Sequence, residues 1–264
     1  MENKERTAVD IIARVGFIGK GAVYFMVGLL ALQATIGMGS QQSGTTQALQ
    51  EFLYQPFGSV LLIGCIIGLL AHALWRMIQA LGDPENRGKS YKNIFFRVID
   101  FIVGCLYLSF SYAAWQIFQG LNAQSTSEST EIWVARILDL PFGKWLVLIV
   151  ALAVLAIAFY QFYTAYKANF EYSFDTQSMS NNEQQMLRQL GRIGFSAWGI
   201  VYLMIAVMLY QAAITYNAKQ AGGLSDALNA LRQQPYGLWI LGTTAVGLLI
   251  YGIYLLVLAY YHRL

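Results

Sequence analysis

Six stretches of this chain stay apolar for about twenty residues each, at roughly 17–36, 58–79, 98–118, 145–165, 193–214 and 238–260. A helix of about 20 apolar residues is what a ~30 Å hydrocarbon core requires. Backbone polar groups cannot be left unpaired in lipid, so the segments must be helical or part of a closed barrel. The runs therefore predict an all-α integral membrane protein with six transmembrane helices. Composition bears this out, with 57% hydrophobic and 12% charged residues, about half the ~25% charge of a soluble domain. The start, MENKERTAVD, has no short apolar region with a small-residue cleavage site, so it does not read as a removable signal peptide.

Basic residues set the expected orientation, because Lys and Arg favour the cytoplasmic side of short loops. The segments 1–20, 76–97, 167–192 and 262–264 hold 13 of them, against Arg136, Lys144, Lys219 and Arg232 on the other side. Both termini are accordingly expected on the cytoplasmic side. A net charge of +3 is too small to suggest nucleic acid. Membrane lipids are the expected partners, with another membrane protein or complex as the further class.

The chain also repeats itself. Aligned at Arg14, Arg97 and Arg192, each copy has a glycine at the seventh following position (Gly21, Gly104, Gly199), a tyrosine at the tenth (Tyr24, Tyr107, Tyr202) and a glutamine at the nineteenth (Gln33, Gln116, Gln211). A polar linker and a short amphipathic stretch follow, then Pro56-Phe57-Gly58, Pro141-Phe142-Gly143 or Pro235-Tyr236-Gly237. The proline is expected in the first turn of the following helix, where its missing N–H is no loss, and the aromatic at headgroup level. The three copies divide a single membrane domain into 8–90, 91–183 and 184–264. An even number of crossings per copy gives all copies one orientation, which predicts a pseudo-threefold axis along the membrane normal. Short amphipathic helices are expected on the outer side; in the last copy Leu224, Ala227, Leu228 and Leu231 recur at helical spacing, with Ser225 as the expected cap.

At 100° per residue, the arginine, glycine and tyrosine of each copy share one helix face with a small residue four positions on (Gly28, Ser111, Ala206). Small residues let helix backbones approach closely in lipid, so the stripe is expected to face protein. The arginines at the helix ends are expected to anchor to headgroups.

ARVGFIGKGAVYFMVGLLAL, the QPFG turn and GLLAHALWRMIQALGDP resemble the bacterial membrane family called domain of unknown function 1206. The resemblance spans essentially the whole chain and implies an array of three two-helix repeats. It implies a multi-pass protein of the bacterial plasma (inner) membrane and no activity, so no catalytic residues are carried over. The middle copy departs most, with Asp100 where the others have Phe17 and Phe195. The plan is also similar to that of mitochondrial carriers, but their Pro-x-acid-x-x-base signature is absent.

The search for chemistry leaves two candidate polar residues, Asp100 and His72. Ionisable groups in a membrane core are costly and mark function. An i,i+3 ion pair with Arg97 accounts for Asp100, with a proton or ion relay as the alternative, and a hydrogen-bonded packing role accounts for His72. Neither His72 nor His262 has metal ligands at matching spacing. Cys65 and Cys105 lie within expected spans and serve as small apolar residues. No catalytic, cofactor-binding or metal-ligating set emerges, and an enzyme is not expected. The leading expectation is a non-catalytic integral membrane protein acting as scaffold, accessory subunit or lipid-associated factor. The alternative is a small-solute or ion transporter or channel along the pseudo-threefold axis.

Overall fold

The computed structural model describes residues 2–37, 44–82, 91–121, 126–168 and 180–261. Each repeat contributes a long helix, a short helix and a second long helix. These are α1 (Glu2–Thr35), α2 (Thr45–Tyr54) and α3 (Gly58–Gly82), then α4 (Tyr91–Phe118), α5 (Thr126–Leu138) and α6 (Gly143–Lys167), then α7 (Asn181–Thr215), α8 (Leu224–Arg232) and α9 (Gly237–Tyr261). The six long helices are all apolar and long enough to cross a membrane. Pro84 and His262 lie outside the described residues.

The packing order is α6, α7, α9, α1, α3, α4, each helix lying along the next. Three of these contacts join different repeats. On the long first helix of each repeat, the aligned glycine meets corresponding positions on the second helix of another repeat. A Cβ at Gly21 would stand 3.0 Å from the Gly252 carbonyl and 3.1 Å from the Leu256 side chain, and one at Gly104 3.0 Å from Met77 and 3.2 Å from the Ala73 carbonyl. At Gly199 it would stand 2.7 Å from the Phe162 ring. Numbered from the turn prolines, Ala73 corresponds to Gly252, and Met77 to Phe162 and Leu256.

Within repeats the two long helices are also held by missing side chains. α1 reaches α3 where a Cβ on Gly16 would stand 2.7 Å from the His72 backbone and one on Gly19 2.5 Å from Gly68 Cα. α7 reaches α9 through Gly194 against Tyr251 and Gly247 against Ala197. α4 and α6 do not pack along one another in this way. The sequence carries the reason: the positions matching Gly16 and Gly19 are Ile99 and Ile102 in the middle repeat. Two branched side chains stand where close approach requires hydrogen, and both are exposed, Ile102 at 53%.

The junction before each second helix is one structure used three times. Gly58 N–H donates to the Gln55 carbonyl (2.9 Å), Gly143 to Leu140 and Gly237 to Gln234 (both 2.8 Å). Phe57, Phe142 and Tyr236 adopt φ of 61°, 67° and 60°. Proline followed by a residue of positive φ is the pattern of a type II turn, where that place normally goes to glycine. The second helices start at the glycine, so the prolines sit in this turn and not, as expected, in the first helical turn. Glycine is required at its end because a Cβ on Gly58, Gly143 or Gly237 would collide with the carbonyl of Leu53, Ile137 or Arg232. The aromatic side chains are 79–84% exposed, so no protein contact explains the strained backbone. At α8 the expected serine cap is absent: Ser225 lies inside the helix, and Asp226 accepts the Gly223 N–H at 2.9 Å.

Candidate functional site

Lys20 lies ten residues into the span Asp10–Thr35, and His72 ten residues before the end of Gly58–Gly82. Tyr107 is eleven residues into Phe96–Phe118, and Tyr251 ten before the end of Gly237–Tyr261. Alternating helix directions put those four ends on one side. At 1.5 Å per residue all four side chains therefore sit about 15 Å from that end of their spans, at one shared level of the bundle.

They meet there. Lys20 Nζ stands 5.2 Å from the centroid of the Tyr107 ring, 5.8 Å from Tyr24 and 5.9 Å from Tyr251, a cation held among three aromatic faces. His72 is fully buried and packs edge-to-face on Tyr107 at 4.5 Å and on Phe17 at 5.6 Å. The Tyr24 and Tyr107 hydroxyls are hydrogen-bonded at 3.0 Å, joining α1 to α4. Trp198, which occupies the position of Lys20 in the third repeat, sets its ring perpendicular to Tyr24 at 5.0 Å and beside Tyr202 at 5.2 Å. One turn towards the near side, Arg76 Nη1 donates to Asp100 Oδ1 at 2.8 Å and to Gln79 Oε1 at 3.1 Å. Arg76 and His72 are four residues apart on α3, so they share a face.

Two expectations are corrected by this geometry. Asp100 pairs with Arg76 across two helices and not with Arg97, whose guanidinium donates instead to the Ala80 and Leu81 carbonyls at 2.7 and 2.8 Å. Those carbonyls end α3 without helical partners, and a charged donor satisfies them better than a local ion pair would. His72 is a packing residue, but neither ring nitrogen has a hydrogen-bond partner among the described residues. A third concerns topology: Lys20 and Arg76, counted among the loop residues, are inside spans.

The repeat stripe is brought together only in part. Gly21, Tyr24, Gly104, Tyr107, Ser111 and Gly199 are buried, whereas Tyr202 is partly buried and Arg192 exposed. Arg14 forms an ion pair with Asp10 at 3.0 Å. Sequence reasoning missed Arg76, Trp198 and above all Lys20. Its signal was available: a lysine between Gly19 and Gly21, six residues beyond Arg14 and inside the first apolar stretch.

Apolar helices of spanning length, two per internal repeat, define the chain as a multi-pass helical membrane protein. Residues 15–83, 101–168 and 193–262 match the Domain of Unknown Function (DUF1206) in three successive copies, and the chain belongs to that family. It is similar to an uncharacterised protein, YxxB, of Bacillus subtilis (strain 168), at 32% identity over 251 residues, covering 95% of this chain and 90% of the relative. No solved structure matches the chain.

Proposed function

We propose that the protein is a non-catalytic, lipid-associated component of the bacterial plasma membrane, with both termini cytoplasmic. The observation that carries this reading is the unclosed side of the bundle between α4 and α6. Ile99 and Ile102 of α4, and Ile157 at the α6 position matching His72, are exposed, where the other repeats use Gly16, Gly19 and Gly194 to close. An apolar gap that opens sideways in a bilayer is filled by an acyl chain, because water finds no polar partner in it. The concentration of basic residues in the segments around 1–20, 76–97 and 167–192 supports the orientation.

The recurring glycine contacts at Gly21, Gly104 and Gly199 support a pseudo-threefold arrangement about the membrane normal, with the middle repeat splayed. The short helices α2 and α8 each bury one side, Ala48, Leu49 and Phe52 in one and Ala227, Leu228 and Leu231 in the other. This supports their lying along the outer membrane surface, with Phe57, Phe142 and Tyr236 in the headgroup region. Extraction in native nanodiscs followed by lipid mass spectrometry tests the reading. Lipid retained by the wild-type protein should be lost from an Ile99→Gly, Ile102→Gly variant, and equal lipid content in both would overturn it. A transporter is the second reading, favoured by the Lys20 layer alone; solute flux in proteoliposomes that is abolished by Lys20→Met would move it ahead.

A further inference from the structure

Among the described residues, the layer around Lys20 is short of one acceptor and one negative charge. Four buried nitrogens there have no hydrogen-bond partner among the described residues: both of His72, Nε of Arg76 and Nε1 of Trp198. Arg76, Trp198 and Lys20 can only donate, and a neutral imidazole offers one donor of its own. Lys20 is within electrostatic reach of both Arg76 and His72. Against the two cations stands Asp100, whose Oδ1 is already held by Arg76. The remaining described carboxylates of known surroundings lie at helix ends or on the short helices: Asp10 with Arg14, Glu183 with Ser180 and Tyr261, and Asp226 at the start of α8. The tyrosine faces stabilise the ammonium but leave the net charge unchanged. An unpaired charge at this depth is expensive, and groups of this kind pair with one another or with a bound ion.

We propose that Lys20, His72 and Arg76 form an intramembrane site for one small monovalent anion of the halide or short-carboxylate class. The anion supplies the single missing charge and accepts from the Lys20 ammonium, the Arg76 Nε–H and the imidazole. It is small because the three tyrosine rings hold Lys20 Nζ within 5.2–5.9 Å of their centroids. It is a free anion and not a lipid phosphate, because the near ends of the four spans lie about 15 Å away along the helices. The guanidinium of Arg76, a quarter exposed, faces the near side and marks the approach. The site stands whether or not a lipid fills the gap between α4 and α6.

The test uses the full-length protein in phosphatidylcholine nanodiscs, with chloride replacing gluconate at constant ionic strength. A ligand that binds only the folded state raises the unfolding midpoint saturably, by about 5 °C at a hundredfold excess over half-saturation. The wild-type protein should show this rise and broaden the ³⁵Cl resonance of free chloride. Lys20→Met should lose both, and Lys20→Arg, which keeps the charge, should retain them. If Lys20→Met does not fold, the wild-type broadening and its competition by nitrate decide the matter. No rise and no broadening in the wild-type protein, or the same rise in a folded Lys20→Met, would overturn the site. A rise produced by phosphatidylglycerol and not by chloride would assign the charge to a headgroup and equally refute a small anion.

Discussion

Gly19→Ala, compared with Gly64→Ala on the neighbouring helix, isolates the energetics of backbone contact in this bundle. A Cβ on Gly19 would stand 2.5 Å from Gly68 Cα and 2.7 Å from the Gly68 carbonyl carbon, while one on Gly64 meets nothing within 4 Å. Ordinary contact begins near 3.4 Å, so α1 and α3 must part by about 0.9 Å, since backbone cannot rotate away as a side chain can. A gap of that size forfeits a quarter to a half of each dispersion contact, and a buried leucine-sized side chain makes about 40 of them at ~0.1 kcal/mol each. Leu69 and Phe17, both buried at this interface, would together lose about 2–4 kcal/mol. Alanine returns about 1 kcal/mol of helix propensity. The expected net cost is about 1–3 kcal/mol for Gly19→Ala, against a gain of up to about 1 kcal/mol for Gly64→Ala. At about 2–4 °C per kcal/mol for a chain of this size, the two unfolding midpoints should differ by roughly 2–16 °C. Thermal unfolding in detergent, followed by tryptophan fluorescence, measures it. Equal midpoints would mean that α1 and α3 are not in backbone contact at Gly19.

Arg76→Met and Asp100→Leu should each destabilise by about 2–3 kcal/mol, less than the 3–5 of a fully buried pair because Arg76 is a quarter exposed. The double variant should lose no more than either single one, and strict additivity in that cycle would show the pair to be uncoupled. Restoring the glycine pattern with Ile99→Gly and Ile102→Gly should let α4 approach α6; spin labels at Phe101 and Phe159 should then report a shorter distance, and an unchanged one would show that side-chain bulk does not hold the gap open. In intact cells, impermeant thiol reagent should reach cysteines at Ser43, Ser127 and Gln220 but not at Ser90 or Ser180; labelling of the last two would reverse the proposed orientation. Phe142→Gly relieves a positive φ and should stabilise the detergent-solubilised protein by about 1 kcal/mol; a loss there would mean the ring makes a contact that its 79% exposure does not reveal.

Much of this architecture is local and therefore readable along the chain. Helix length, the 3.6-residue periodicity and the Pro-aromatic-Gly turn each depend on residues within a few positions of one another, so the six spans and three copies follow from the order of residues alone. The splayed middle repeat was encoded as well, in Ile99 and Ile102 where the other copies carry glycine or alanine, but only knowledge of which face packs turns that difference into a gap. The polar layer is another matter. Lys20, His72, Tyr107 and Tyr251 come from four helices spread over more than two hundred residues, and their shared depth depends on where each helix begins relative to the others. Asp100 had Arg97 three residues away and Arg76 twenty-four away; proximity along the chain favoured the first, and the packing of α3 against α4 decided for the second. Periodicity reveals which way a side chain points from its own helix, whereas what it points at is decided by the neighbouring helix and the register at which the two backbones touch.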